Sequence, residues 1–600
     1  MRRFATAALL AALVLSGCGI PDNSPVLQVE PGPSTGTSSG DTVTPSVPHR
    51  EDADGPSSLV QNYLLAAAGS LVDAPARVKG FLSPAMAVRF KPQPTVRVIH
   101  PTERPLNNPG SDEVSIKGWV VGTLDANGVL QPSADQAVTE YRFQVEEVDG
   151  RSGLFLSKVP PLMLLTDTAL NSYYDLRTIY FWNTERTVLV PDVRYMPRST
   201  PPEQQPTEVL KWLTAGPAPW LAAAVEPLPE GTAPIGNVPA VSNDKLQINL
   251  NAQAVPTDDK FALDRLRQQL MWSLQPNLPR YLELKIAHQV TVWDQNGFLS
   301  SNASYGLSGD PERFVVFEGK IRRLSRSASA AEPVPVLPAD ANRNIRTAAF
   351  GRSNNRTYAA VVVADGGKTA LRVAGVRTGE RAALRNVAVP GGVLGYPVWA
   401  VTPQEPQSGA VGLIPVGGRL YSFGAGGGRA NLVPWPGGGP PALSAVAVAP
   451  DGHRAALVVG RRLYIAVLVT GGDGVQLASP VEIRTPMRPG TLTAVDWSSE
   501  GWLVVAGIRA DQNRVAIMDI TLDGALSTPR LDDLGTEQIS YITAYPASPL
   551  DPRQTSYSVA YVAGGIAYNA LRDPTKITSA DLVNPPASPP AATTAPLFLR

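Results

Sequence analysis

The C-terminal half of the chain repeats. Short apolar segments recur around Ala348, Pro397, Ala445, Ala494 and Ala544, a spacing of roughly 49 residues that matches the blade length of β-propellers. Each is followed by a second β-like stretch: Tyr358 to Val363, Gly412 to Ile414, Ala455 to Val459, Leu503 to Gly507, and Ser558 to Ala563. Asp365-Gly366 and Asp451-Gly452 mark hairpin turns. A pair of β-sandwiches leaves the period unexplained, so residues 310–575 are predicted to form a propeller of five or six blades. Phe314 to Leu324, with Glu318-Gly319-Lys320 between two strand-like runs, is expected to add strands to the last blade and remove its open edges. From 576 to 600 the chain turns Pro- and Ala-rich and is expected to be a disordered tail.

The other end carries an export signal. Arg2 and Arg3 precede an apolar run from Phe4 to Leu15, and Leu15-Ser16-Gly17-Cys18 closes it with the only cysteine among 600 residues. That arrangement is a bacterial lipobox, with residues 1–17 the signal peptide. The Cys18 thiol takes a diacylglycerol as a thioether, and cleavage ahead of it leaves an acylated N-terminus. Two or three acyl chains anchor a protein stably where one does not. The run is shorter than the roughly 20 residues of a spanning helix, so the chain is expected to be anchored to the outer face of the cell membrane without crossing it. No second cysteine is present for a disulfide, so stability must come from apolar cores, which a 43% hydrophobic content permits.

Residues 18–55 are rich in Pro, Gly, Ser and Thr and read as a disordered tether, with an average reach of about 30 Å. A first folded unit is expected over 56–165. It opens with a helix carrying Leu59, Tyr63, Ala66 and Ala67 on one face, then a second helix capped by Ser83 with Pro84 in its first turn. Strands follow at Thr95 to His100, Glu113 to Leu124 and Ala137 to Val148, with a turn at Asn127-Gly128. Tyr141, Phe143 and Val145 alternate with polar residues, so one face of that sheet is wet. The result is a small cone-like α+β fold of the nuclear-transport-factor type.

A second unit spans 170–295. Its apolar strand Thr178-Ile179-Tyr180-Phe181-Trp182 is followed by Val188-Leu189-Val190, then a helix from Thr207 that stops at Gly216-Pro217. An alternating strand Leu246 to Leu250, a helix with Leu263, Leu266, Leu270 and Leu274 on one stripe, and a closing strand Val290 to Trp293 complete it. The whole is therefore a multidomain protein, α+β in its first two units and all-β in the third.

Motifs for chemistry are few. Gly32-Pro33-Ser34-Thr35-Gly36 copies the letters of a hydrolase elbow but lies in the tether, where no strand-turn-helix holds the serine. Gly366-Gly367-Lys368-Thr369 ends like a phosphate-binding loop, yet Val362 stands where its first glycine is required. The four histidines, His49, His100, His288 and His453, have no metal-ligand spacing, so no metal and no cofactor are expected. Asp365, Asp496 and Asp519 are the carboxylates a propeller axis could gather, each more simply read as a turn or surface residue; no catalytic residue is assigned. The formal net charge of zero argues against nucleic acid as a partner.

Two resemblances sharpen this reading. Ala449-Pro450-Asp451-Gly452-His453 resembles the turn of TolB-like blades. Val209-Leu210-Lys211-Trp212-Leu213-Thr214-Ala215-Gly216-Pro217, then Leu228-Pro229-Glu230-Gly231-Thr232 and the alternating strand, resemble a GerMN domain, a binding or scaffolding module. With the lipobox, the start Cys18-Gly19-Ile20-Pro21 and the order of units, the full chain resembles the LpqB lipoproteins of actinobacteria. That resemblance implies a non-enzymatic accessory protein that contacts the extracellular domain of the sensor kinase MtrB and modulates the MtrA/MtrB two-component system. Two alternatives remain. A propeller face could bind or process peptidoglycan or another envelope glycan, using Trp399, Trp435, Trp497 or Trp502 as platforms. The protein could also be a spacer holding other envelope proteins.

Overall fold

The computed structural model describes residues 46–600 apart from 108–109, 134–136, 308, 405–408, 439–441 and 472–473. Leu15, Ser16, Gly17 and Cys18 of the lipobox, and the Ser34 motif, lie outside the described residues.

The first unit is a sheet ordered Leu154–Lys158, Val138–Glu147, Glu113–Leu124, Val96–Pro101 and Met163–Thr166. Neighbours run antiparallel except the last pair, which is parallel. Tyr141, Phe143 and Val145 face inward and their polar neighbours outward. Helix Pro56–Ala66 covers the inner face with Leu59, Val60, Tyr63 and Leu64. Ser83 holds the N-cap position before Pro84, but its side chain makes no capping hydrogen bond. The unit also starts earlier than 56. Arg50 lies over the Phe155 ring at 3.9 Å and donates to the Ser152 carbonyl at 2.9 Å, so the last residues assigned to the tether are folded onto the sheet.

In the second unit, strands Tyr174–Asn183 and Leu189–Pro197 form a hairpin, and helix Gln205–Ala215 ends at Gly216, whose φ of 91° is the left-handed region that glycine adopts without a Cβ penalty. Lys245–Leu250 and Tyr281–Ile286 pair in parallel across helix Ala262–Ser273, and Gln289–Asp294 adds the antiparallel edge. Tyr281–Ile286 has no counterpart in the sequence reading.

The propeller has six blades. Blades 2 to 6 begin with the inner strands Ile345–Arg352, Val398–Ala400, Leu443–Val448, Ala494–Trp497 and Ile539–Tyr545 and continue outward by antiparallel pairing. Blade 1 corrects two expectations. Thr594–Leu599, expected to fray, is its inner strand, paired antiparallel with Glu312–Phe317, which pairs in turn with Lys320–Arg323. Residues 312–323 therefore build a blade of their own with the end of the chain. The physical reason is burial: Ala595, Pro596, Leu597, Phe598 and Leu599 are all buried, enough apolar surface to order a segment that the Pro-rich stretch before it obscures. The six inner strands neighbour one another in a closed ring, which leaves no free inner edge.

Candidate functional site

The second unit and the propeller meet in a buried polar joint. Strand Tyr174–Asn183 is buried on both faces, with helix Ala262–Ser273 packed across it and the propeller turns against its end. Those turns are the ones joining first to second strands in blades 4 and 5. In blade 4, Asp451 caps the turn by accepting from the His453 and Arg454 amides at 2.9 and 3.1 Å and pairs with the Arg454 guanidinium at 2.8 Å. Arg454, fully buried, lies over Trp497 and donates to the Glu500 carbonyl at 2.6 Å, linking the two turns.

The Glu500 side chain then reaches into the second unit. It accepts from the Tyr180 hydroxyl at 2.6 Å and from the Asn302 amide at 2.9 Å. Beside it, Asn183 Nδ2 lies 2.9 Å from His453 Nε2. A third strut runs from the Tyr195 hydroxyl to Asp523 at 2.8 Å. Burial pushes the Glu500 and Asp523 carboxyls above their ordinary values and the Tyr180 and Tyr195 phenols well above theirs. The phenols are thus donors and the carboxyls reluctant acids, suited to holding surfaces together rather than to exchanging protons.

Arg194 joins the first two units. Its guanidinium pairs with buried Asp192 at 2.6 Å and donates to the carbonyls of Asn127 and Gly216 at 3.1 and 3.0 Å. The Asn127-Gly128 segment, read from sequence only as a turn, is also a docking point: the Tyr195 amide donates to the Gly128 carbonyl at 2.8 Å. Gly128 has φ 72°, and a Cβ there would stand 2.9 Å from the Tyr195 carbonyl oxygen.

Along the propeller axis lies a cavity of about 290 Å³ walled by all six inner strands and by Asn302, Ala303 and Leu307 from the segment entering the propeller. Tyr396 and Tyr541, from opposite blades, stack across the channel with centroids 3.6 Å apart. Burial pushes the Tyr396 phenol up to about 12. Arg600 spans the wall of this cavity: its guanidinium pairs with Asp496, and its carbonyl accepts from the Arg352 amide at 2.6 Å. Burial lowers the pKa of Arg600, and Asp496 with Tyr541 and Tyr545 more than reverses that.

The three carboxylates singled out from sequence do not converge. Asp365 sits on an exposed hairpin with Arg372 at 2.9 Å, Asp496 is held by Arg600, and Asp519 accepts from Ser498 at 2.7 Å and pairs with Arg530 at 2.8 Å. Among the described residues no group of three or more His, Cys, Asp or Glu side chains is placed to hold a metal ion. Gly366-Gly367 is the tight turn of a hairpin in blade 2. Trp399, Trp497 and Trp502 are buried and Trp435 half-buried. Trp502 packs into the core of the first unit, a role its sequence neighbourhood did not announce. No helix among the described residues is long and apolar enough to cross a membrane.

Two mixed α/β units fixed to a closed six-bladed propeller define a modular propeller protein. Comparison with known proteins matches each unit in turn. Residues 49–170 match the family described as Lipoprotein LpqB, N-terminal domain, residues 178–287 the one described as Sporulation and spore germination, and residues 321–544 the Lipoprotein LpqB beta-propeller domain. The chain is 26% identical over 518 residues to Lipoprotein LpqB of Corynebacterium jeikeium, covering 78% of this chain and 79% of that one. It is 24% identical over 570 residues to Lipoprotein LpqB of Rhodococcus opacus, covering 89% and 88%. Among solved structures, TolB from Acinetobacter baumannii aligns over 63% of this chain and 88% of its own at 10% identity, with a TM-score of 0.25, a likeness that carries no argument. The chain is thus similar to the LpqB lipoproteins in its first and third units and along most of its length.

Proposed function

We propose that this protein is a lipid-anchored, extracytoplasmic, non-enzymatic accessory protein that binds the extracellular domain of a two-component sensor kinase, MtrB in the resemblance described above, and modulates its signalling. The observation that supports this reading is the joint. Tyr180, Asn302, Arg454 and Glu500 fix two units to each other through buried hydrogen bonds, so the body offers a composite surface of fixed geometry. The candidate carboxylates, by contrast, are each occupied by a cation of their own. Acylation at Cys18 supplies effective concentration, because partners held at one membrane need only modest intrinsic affinity. Modulation then requires unequal affinity for the two signalling states of the kinase.

A glycan-binding propeller face draws no support from the tryptophans proposed as platforms, because three are buried and the fourth half-buried. The test is calorimetric titration of the soluble chain following Cys18 into the purified extracellular domain of the cognate kinase. Saturable binding in the micromolar range is expected, about −8 kcal/mol at 1 μM. Absence of heat at high micromolar concentration, with retention of the protein on purified cell wall, overturns the reading.

A further inference from the structure

The chain has no net charge, yet one cleft concentrates arginine. Beside blades 4 and 5, against the first unit, a cavity of about 450 Å³ is lined by Arg461, Arg462, Arg484, Arg488 and Arg509. Trp119 forms its wall. The Arg484 guanidinium lies over that indole at 4.0 Å from the centroid, and His100 stacks on it at 4.9 Å while its Nδ1 meets Asp167 at 2.5 Å. Two of the arginines are neutralised: Arg462 pairs with Glu482 at 3.0 Å, and Arg509 with Asp511. Among the described residues Arg488 has only a neutral partner, donating to Asn513 Oδ1 at 2.8 Å. Arg461 is exposed in a left-handed turn at φ 61°, and its side chain has no ion-pair or hydrogen-bond partner among the described residues.

Like charges at the mouth of one cleft repel one another, and the carboxylates Glu482 and Asp511 that line it pair with Arg462 and Arg509 rather than with Arg461 or Arg488. An anion that takes several guanidinium forks at once relieves that repulsion. Phosphate suits the task better than carboxylate, since its tetrahedral oxygens accept from forks arriving on different sides and its charge can exceed one. The cavity volume is that of a small-ligand site rather than a macromolecular groove. We propose that this cleft binds a phosphate-bearing anion through Arg461 and Arg488, beside the Trp119 wall. The site lies apart from the joint, and the proposal stands independently of kinase binding.

A soluble phosphate ester and a phospholipid headgroup present the same chemistry, so the experiment has two arms. The soluble chain following Cys18 is titrated with sodium pyrophosphate at low salt, and in parallel it is floated with phosphatidylglycerol vesicles. Saturable pyrophosphate binding that weakens as salt rises is expected, reduced about tenfold or more in Arg461→Gln/Arg488→Gln. Both side chains are exposed, so an unchanged melting temperature certifies the fold of the variant. Flotation that pyrophosphate competes away, and that the double variant loses, assigns the headgroup as the source; pyrophosphate binding without flotation assigns a soluble ester. No pyrophosphate binding at millimolar concentration, or equal affinity in the double variant, overturns the proposal.

Discussion

Replacing Glu500 by alanine removes the one acceptor that the Tyr180 hydroxyl and the Asn302 amide share at the joint. Both donors stay buried. Each unsatisfied group costs about 1 to 3 kcal/mol, so Glu500→Ala is expected to lower stability by about 2 to 6 kcal/mol. Urea unfolding followed by tryptophan fluorescence reads this, since Trp272 packs beside Tyr180 at the joint and Trp497 lies beneath Arg454. In Glu500→Gln the side-chain oxygen accepts from Asn302 and the new amide donates to the Tyr180 oxygen, so the loss at neutral pH is about 1 kcal/mol or less. The pH dependence separates the two states of the parent. Burial raises the Glu500 carboxyl in the folded protein, so its contribution is fully present below the unfolded value near about 4.3 and is lost as pH rises through the folded one. The stability difference between parent and Glu500→Gln should therefore move against the parent as pH rises, by at most about 1.4 kcal/mol per unit. A Glu500→Ala protein within about 0.5 kcal/mol of the parent, a change no larger than an ordinary surface substitution, would refute the claim that this network holds the units together.

Other expectations follow from single contacts. Arg194→Ala strands buried Asp192 without its cation and should cost about 3 to 5 kcal/mol by thermal unfolding, with faster amide exchange at 125–129. Gly128 and Gly150 share a positive φ, but only at Gly128 does a Cβ meet backbone, so Gly128→Ala should exceed Gly150→Ala in cost, the latter about 1 kcal/mol, in urea midpoints. Deleting 594–600 strips blade 1 of its inner strand and exposes the edge of Glu312–Phe317, and size-exclusion chromatography should show aggregation.

Local periodicity carried much of the fold. The alternation at Tyr141, Phe143 and Val145 and the stop at Gly216 appear in the structure where the sequence put them. The joint was harder to read, because Tyr180 and Glu500 lie 320 residues apart and a glutamate in a turn looks like any solvated one. A signal did exist: Thr178 to Trp182 does not alternate, and an unbroken apolar run in a strand means cover on both faces. The closing strand was hidden for a compositional reason, since Leu597-Phe598-Leu599 is a short run behind a Pro- and Ala-rich stretch. The arginine cleft was illegible because its members are spread over blades 4 and 5 and only folding gathers them beside Trp119.

The most direct test of the account is reconstitution of the cognate sensor kinase in liposomes with the lipidated protein. Kinase autophosphorylation should change when the acylated protein is present, and much less with an equal amount of Cys18→Ala protein, which lacks the anchor. Autophosphorylation that is the same with and without saturating lipidated protein would contradict the signalling role.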